Sequence, residues 1–201
     1  MKVYVFWMSK YYSIDEKKFI IENKYFGGNQ ADLSKKNNKD RGCSIIALSN
    51  YLYYISKSQK KYNFLFIEDN YNEFIRFSEK IAKYFNIGLF GQPFLFNIKS
   101  ALNAISKDYS FKYKAKTLVL SNNKLKIERF IIGALNINLP VIAVNWDNPN
   151  KVLKFHWVTI TGLRKENNKI YLEYSSWSKK YISALDDFYK TSFYTAFIYF
   201  L

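Results

Sequence analysis

The chain has 201 residues, 49% of them hydrophobic, and a formal charge of +15 from 31 Lys and Arg against 16 Asp and Glu. That length carries one core of ordinary size, and no apolar run reaches the 18 residues that a spanning helix needs. One cysteine and one histidine exclude an internal disulfide and a zinc site built from those residue types alone, so neither a metal nor a cofactor is expected.

The N-terminal run Val3 to Met8 is apolar but short, and the polar stretch Ser9 to Lys18 follows without a small-residue cleavage site. It makes a poor signal peptide, so a cytoplasmic location is expected. From Ser44 the apolar positions Ile45, Leu48, Leu52 and Ile55 recur at helical spacing and end in the polar stretch Ser56 to Lys61. Phe74, Phe77, Ile81 and Phe85 predict a second helix from about Asn70 to Ile87. Asn97 is a candidate cap for a third, with Ile98, Ala101, Leu102 and Ile105 turned inward. Asn122 or Asn123 caps a fourth, running to Leu135.

The period then changes. Pro140 to Trp146 is a compact apolar run suited to a buried strand, and Trp146-Asp147-Asn148-Pro149 makes a turn. His156 to Leu163 and Lys169 to Ser176 follow as strands, with Arg164 to Asn168 as the hairpin loop between them. Tyr181 to Ser183 is a short strand, Asp186-Asp187 caps a short helix, and Ser192 to Phe200 is a last aromatic strand. Helices followed by antiparallel strands make an α+β domain, with a helical lobe over about 1–138 and a β lobe over about 139–201. The cleft between the lobes is where chemistry is expected.

Cys43 lies in Asp40-Arg41-Gly42-Cys43-Ser44, where a polar loop meets the first helix. The positive end of a helix dipole stabilises a thiolate, and free backbone N–H groups there can hold an oxyanion. Arg41 and His156 reinforce the expectation of a low-pKa thiol. His156 opens His-Trp-Val-Thr-Ile-Thr-Gly-Leu, a strand alternation that puts an imidazole at an element end in the other lobe. A Cys–His pair is a spatial relation, so sequence distance is no objection. If Arg164 to Asn168 is the loop, His156 lies opposite Ser176, and a register change of one residue puts it opposite Ser175. Tyr174-Ser175-Ser176-Trp177 then brings a hydroxyl to fix the tautomer and an indole to shield that hydrogen bond.

With these residues in hand, the chain resembles the papain-like cysteine peptidases. Gly42-Cys43-Ser44-Ile45-Ile46-Ala47-Leu48 is similar to that family's nucleophile helix, and His156-Trp157-Val158-Thr159-Ile160-Thr161-Gly162 to its histidine strand. Ser175-Ser176-Trp177 stands where the family has Asn-Ser-Trp. The likeness is closest to small bacterial members, including the peptidase domains that process bacteriocin leaders. It implies a nucleophile Cys43, a general base and acid His156, and Ser175 as the residue that orients the imidazole. The family's oxyanion glutamine stands six residues before the cysteine, a position held here by Asn37. Asn37 and Asn38 are therefore the expected amide donors, and Gln30 reaches the site only if its loop folds back.

The implied activity is acyl transfer from a peptide or protein substrate to the thiol, followed by hydrolysis or aminolysis. A second reading is a catalytically impaired protein of the same fold that binds peptides in its cleft. A third is a basic nucleic-acid-binding protein. Against the third, only Arg41, Arg76, Arg129 and Arg164 are arginines, and the lysines are scattered. Asn outnumbers Gln by 20 to 3, a bias that reads as AT-rich codon usage. No specific nucleic-acid complex is expected.

Overall fold

The computed structural model describes residues 10–65, 68–88, 91–146, 148, 150–167, 169–189 and 194–201. In chain order the elements are β1 (Lys10–Ser13), α1 (Glu16–Phe19), α2 (Lys36–Arg41), α3 (Cys43–Ser58), α4 (Tyr71–Ala82), α5 (Leu95–Asp108), β2 (Ala115–Val119) and α6 (Lys124–Leu135). There follow β3 (Val141–Trp146), β4 (His156–Glu166), β5 (Lys169–Ser176), β6 (Lys179–Ala184), α7 (Leu185–Tyr189) and β7 (Tyr194–Phe200). Val3 to Met8, Ser9, Asp147, Pro149, Asn168 and Ser192, on which expectations above fall, lie outside the described residues. The fold is α+β with one antiparallel sheet of order β2-β7-β3-β4-β5-β6, and β1 pairs with the far end of β4.

The apolar stripes are buried where expected, but α4 ends at Ala82, so Phe85 and Ile87 fall beyond the helix expected to reach Ile87. Ile45, Leu48, Leu52 and Ile55 are buried on α3, as are Phe74, Phe77 and Ile81 on α4. Asn70 caps α4 by accepting from the Asn72 and Glu73 N–H groups, and Asn123 caps α6 by accepting from Lys126. The third helix differs. It begins at Leu95, and Asn97 sits inside its first turn, its side chain accepting from the Phe94 N–H at 3.2 Å. An Asx side chain satisfies an orphan donor as well from the third helical position as from the cap.

Two departures concern the sheet. β1 and β2 belong in sequence to the expected helical lobe, yet both join the sheet, so the division at about residue 138 does not separate helices from strands. Both strands are short and have only one buried residue between them, Leu118, so their patterns are too weak for the period-2 signal. The β4–β5 hairpin is also tighter than the expected loop: Glu166 pairs with Lys169, Arg164 with Tyr171, and Thr159 with Ser175. An irregularity between Ile160 and Gly162 shifts the register on the way.

The long helix α3 lies on the sheet. Thr159 of β4 donates to the Ala47 carbonyl at 3.3 Å, and Tyr51 of α3 bonds the Phe200 backbone on β7. The start of α3 is thereby fixed against the start of β4. No helix among the described residues is long and apolar enough to cross a membrane.

Candidate functional site

Gly42 sets the break between α2 and α3. Its N–H ends α2 on the Asn38 carbonyl at 2.8 Å, and a Cβ there would stand 2.3 Å from that same oxygen. Only glycine allows the chain to end one helix and start the next within one residue. Cys43 is consequently the first residue of a helix of 16 residues whose N-cap contributes no side-chain bond. The residue as a whole is half-buried, and it lines a cleft between the helices and the sheet.

The imidazole arrives from the opposite side. Phe155 takes a left-handed φ of 54°, turning the chain into β4, where His156 pairs with Asn145 of β3. His156 is 8% exposed, and its Nε2 lies 2.7 Å from Ser176 Oγ. Trp177 stacks on the ring, with centroids 4.4 Å apart and planes 15° from parallel. The stack depends on an unusual turn: Trp177 and Ser178, the two residues joining β5 to β6, have φ of 47° and 59°. Two left-handed residues in succession match the type I′ hairpin turn, a costly conformation for an indole-bearing residue. Hydrogen bonds of Ser178 with Phe26, Gly28 and Tyr71 hold it in place.

This geometry corrects the third site residue. Ser176, not Ser175, meets His156. Adjacent residues of a strand face opposite sides, and Thr159↔Ser175 pairing puts Ser175 on the face covered by α3. There Ser175 donates to the Phe26 carbonyl at 2.6 Å and accepts from Asn50 at 3.3 Å.

The expected oxyanion donors are corrected as well. Asn37 donates to the Ile87 carbonyl at 2.9 Å and, with Asn38, lines a separate cavity beside Lys35, Lys83 and Phe85. The Asn37 amide is thereby tied to the loop after α4. Gln30, and neither Asn37 nor Asn38, lines the chamber with Cys43. The Gln30 loop folds back, its Nε2 donates to the Lys39 carbonyl at 2.9 Å, and its side chain lines the cavity with Cys43 and His156. A side-chain amide has two N–H donors, so one remains after that bond.

Cys43, His156, Gln30, Ser175, Ser176 and Trp177 surround an inner chamber of about 10 Å³, room for about one water. It opens into a cleft of about 620 Å³ walled by Trp146, Phe155, Trp157 and Trp177, with Asp40, Arg41 and Gln92 among its polar residues. Trp157 is held by donation from its indole to the Gln92 carbonyl, and Trp146 packs edge-on against Phe155 at 4.9 Å.

The electrostatics differ from a preformed ion pair. Burial lowers the His156 pKa from 6.5 to about 4. Burial also raises the Cys43 thiol above its ordinary 9.0, while the backbone N–H groups of Trp157, Ser44 and Cys43 pull it the other way. Desolvation thus works against the low-pKa thiol expected from the helix start. At neutral pH the resting pair is thiol and neutral imidazole.

Models of known protein families and curated proteins were both compared with the chain, and neither comparison gives a match. Among the described residues no group of three or more His, Cys, Asp or Glu gathers to hold a metal ion.

Proposed function

We propose that the chain is a papain-like thiol hydrolase that cleaves peptide or amide bonds, with Cys43 as nucleophile and His156 as general base and then acid. The observation that carries this reading is the shared chamber. The only cysteine and the only histidine, far apart in sequence, line one cavity with a side-chain amide. Ser176 occupies Nε2 of the imidazole, which leaves Nδ1 to take the thiol proton as sulfur attacks the substrate carbonyl. Because both groups rest neutral, proton transfer accompanies attack instead of preceding it. The oxyanion is met by the Cys43 N–H and the free N–H of Gln30. The imidazolium then protonates the leaving amine, giving a thioester. Water, deprotonated by His156, attacks the thioester, releases the acid and restores the thiol. Trp177 covers the His156–Ser176 hydrogen bond and keeps the ring from swinging. The aromatic cleft suits a substrate with a large apolar side chain near the scissile bond.

The test is cleavage of a diverse peptide pool by wild type and by Cys43→Ala, with products identified by mass spectrometry. Products made only by wild type, with large apolar residues beside the cut, are expected. Identical product lists from the two proteins, with peptides still bound, would move the catalytically impaired binding protein ahead.

A further inference from the structure

Ser175 is 1% exposed and Asn50 2%, and their hydrogen bonds run to each other and to the backbone of Phe26 and Gly28. Both hold the same short segment. Asn50 Oδ1 accepts from the Gly28 N–H at 2.9 Å, Ser175 Oγ donates to the Phe26 carbonyl at 2.6 Å, and Asn50 Nδ2 donates to Ser175 Oγ at 3.3 Å. The residue between, Gly27, has φ of 80° and lies so close that a Cβ would stand 2.5 Å from Ser175 Oγ and 2.8 Å from the Asn50 amide. Two residues beyond Gly28, Gln30 turns into the chamber. The same segment also exchanges backbone hydrogen bonds with the hairpin tip: the Phe26 N–H donates to Ser178 and the Ser178 N–H to Gly28.

We propose that Ser175 and Asn50 are positioning residues that set the Gly27–Gly28 turn and, through it, the Gln30 side chain at the oxyanion. This inference rests on the proposed hydrolase reading. The first serine of the hairpin end, Ser175, thus serves the other half of the site from Ser176. A neutral hydroxyl and amide suit this task, because each must both donate and accept within a buried space that a charged group would desolvate at high cost. The bonds to Ser178 join the two halves, so the loop that carries Gln30 and the turn that carries Trp177 are held by one clamp.

Two measurements test it. Amide hydrogen exchange on the intact protein should show Gly28 strongly protected, with protection lost in Ser175→Ala and Asn50→Ala and kept in Ser176→Ala. In turnover of a cleaved peptide, Ser175→Ala should lower kcat between about tenfold and a hundredfold, the scale of a misplaced catalytic group. KM and the acid limb of the pH profile should stay unchanged. On a Gln30→Ala background, Ser175→Ala should have no further effect on kcat. A full additive loss in that cycle, or unchanged Gly28 protection, overturns the proposal. So does loss of the cooperative thermal transition in both variants, which would make the clamp a folding determinant. If wild type matches a Cys43→Ala blank on every peptide, the hydrolase reading fails and the catalytic half of this inference with it. The exchange data would then decide the clamp alone.

Discussion

Acidification from pH 6.5 toward 4 should destabilise this protein through His156. His156 is buried and its pKa lies at about 4 in the folded chain, against 6.5 when unfolded. Between those values the unfolded imidazole binds a proton and the folded one does not, so stability falls as pH is lowered from 6.5 toward 4. At pH 4 the loss is about 3 kcal/mol, at 1.36 kcal/mol for each tenfold difference in proton affinity. Above pH 6.5 both states are neutral and the effect vanishes. Urea unfolding of wild type and His156→Gln across pH 7 to 4 isolates the contribution. Gln removes the titration, while the carboxylates elsewhere titrate alike in both proteins. The constant cost of losing the Ser176 contact and the Trp177 stack cancels in the pH-dependent difference. Wild type should lose about 3 kcal/mol more than the variant over this range. A difference below about 1 kcal/mol would refute the claim that the imidazole is held neutral by burial.

Iodoacetamide should label Cys43 slowly at pH 6, the rate rising only above pH 9, because burial keeps the thiol protonated; a fast rate at pH 6 would show a preformed ion pair. Ser176→Ala should lower kcat roughly tenfold, the equivalent of one net hydrogen bond of about 1.4 kcal/mol, whereas an unchanged kcat would remove Ser176 from the site. Gly27→Ala should cost roughly 1–3 kcal/mol in chemical denaturation, from a left-handed φ and a Cβ 2.5 Å from Ser175 Oγ. A cost within 0.5 kcal/mol of zero, the size of a neutral surface change, would show that the turn is not clamped.

The sequence carried the long-period features well. The stripes of α3 and α4, the buried strand at Val141, and Cys43 at a helix start all follow from spacing and helix-end chemistry. What it did not carry is local and relational. Neighbouring serines differ by which face they take, and a register irregularity near Thr161 decides that, which strand alternation alone cannot locate. Gln30 was reachable only through the Gly27-Gly28 pair, a turn signal whose direction depends on Asn50, distant in sequence. The thiol's pKa misled for a related reason. The helix start favours ionisation, but the depth of burial, set by tertiary packing, outweighs it. Trp146 and Phe155, nine residues apart in the chain, meet at one cleft wall only in the fold.

The central claim is that Cys43 attacks a substrate carbonyl with help from His156. Acid quenching of the protein during turnover of a cleaved peptide, followed by intact-mass and fragment analysis, reads this directly. The account predicts an acyl group from the N-terminal product on Cys43 in wild type, and none in His156→Ala under the same conditions. Peptide products released with no acyl group on Cys43 at any quench time, and turnover unchanged in Cys43→Ala, would contradict it.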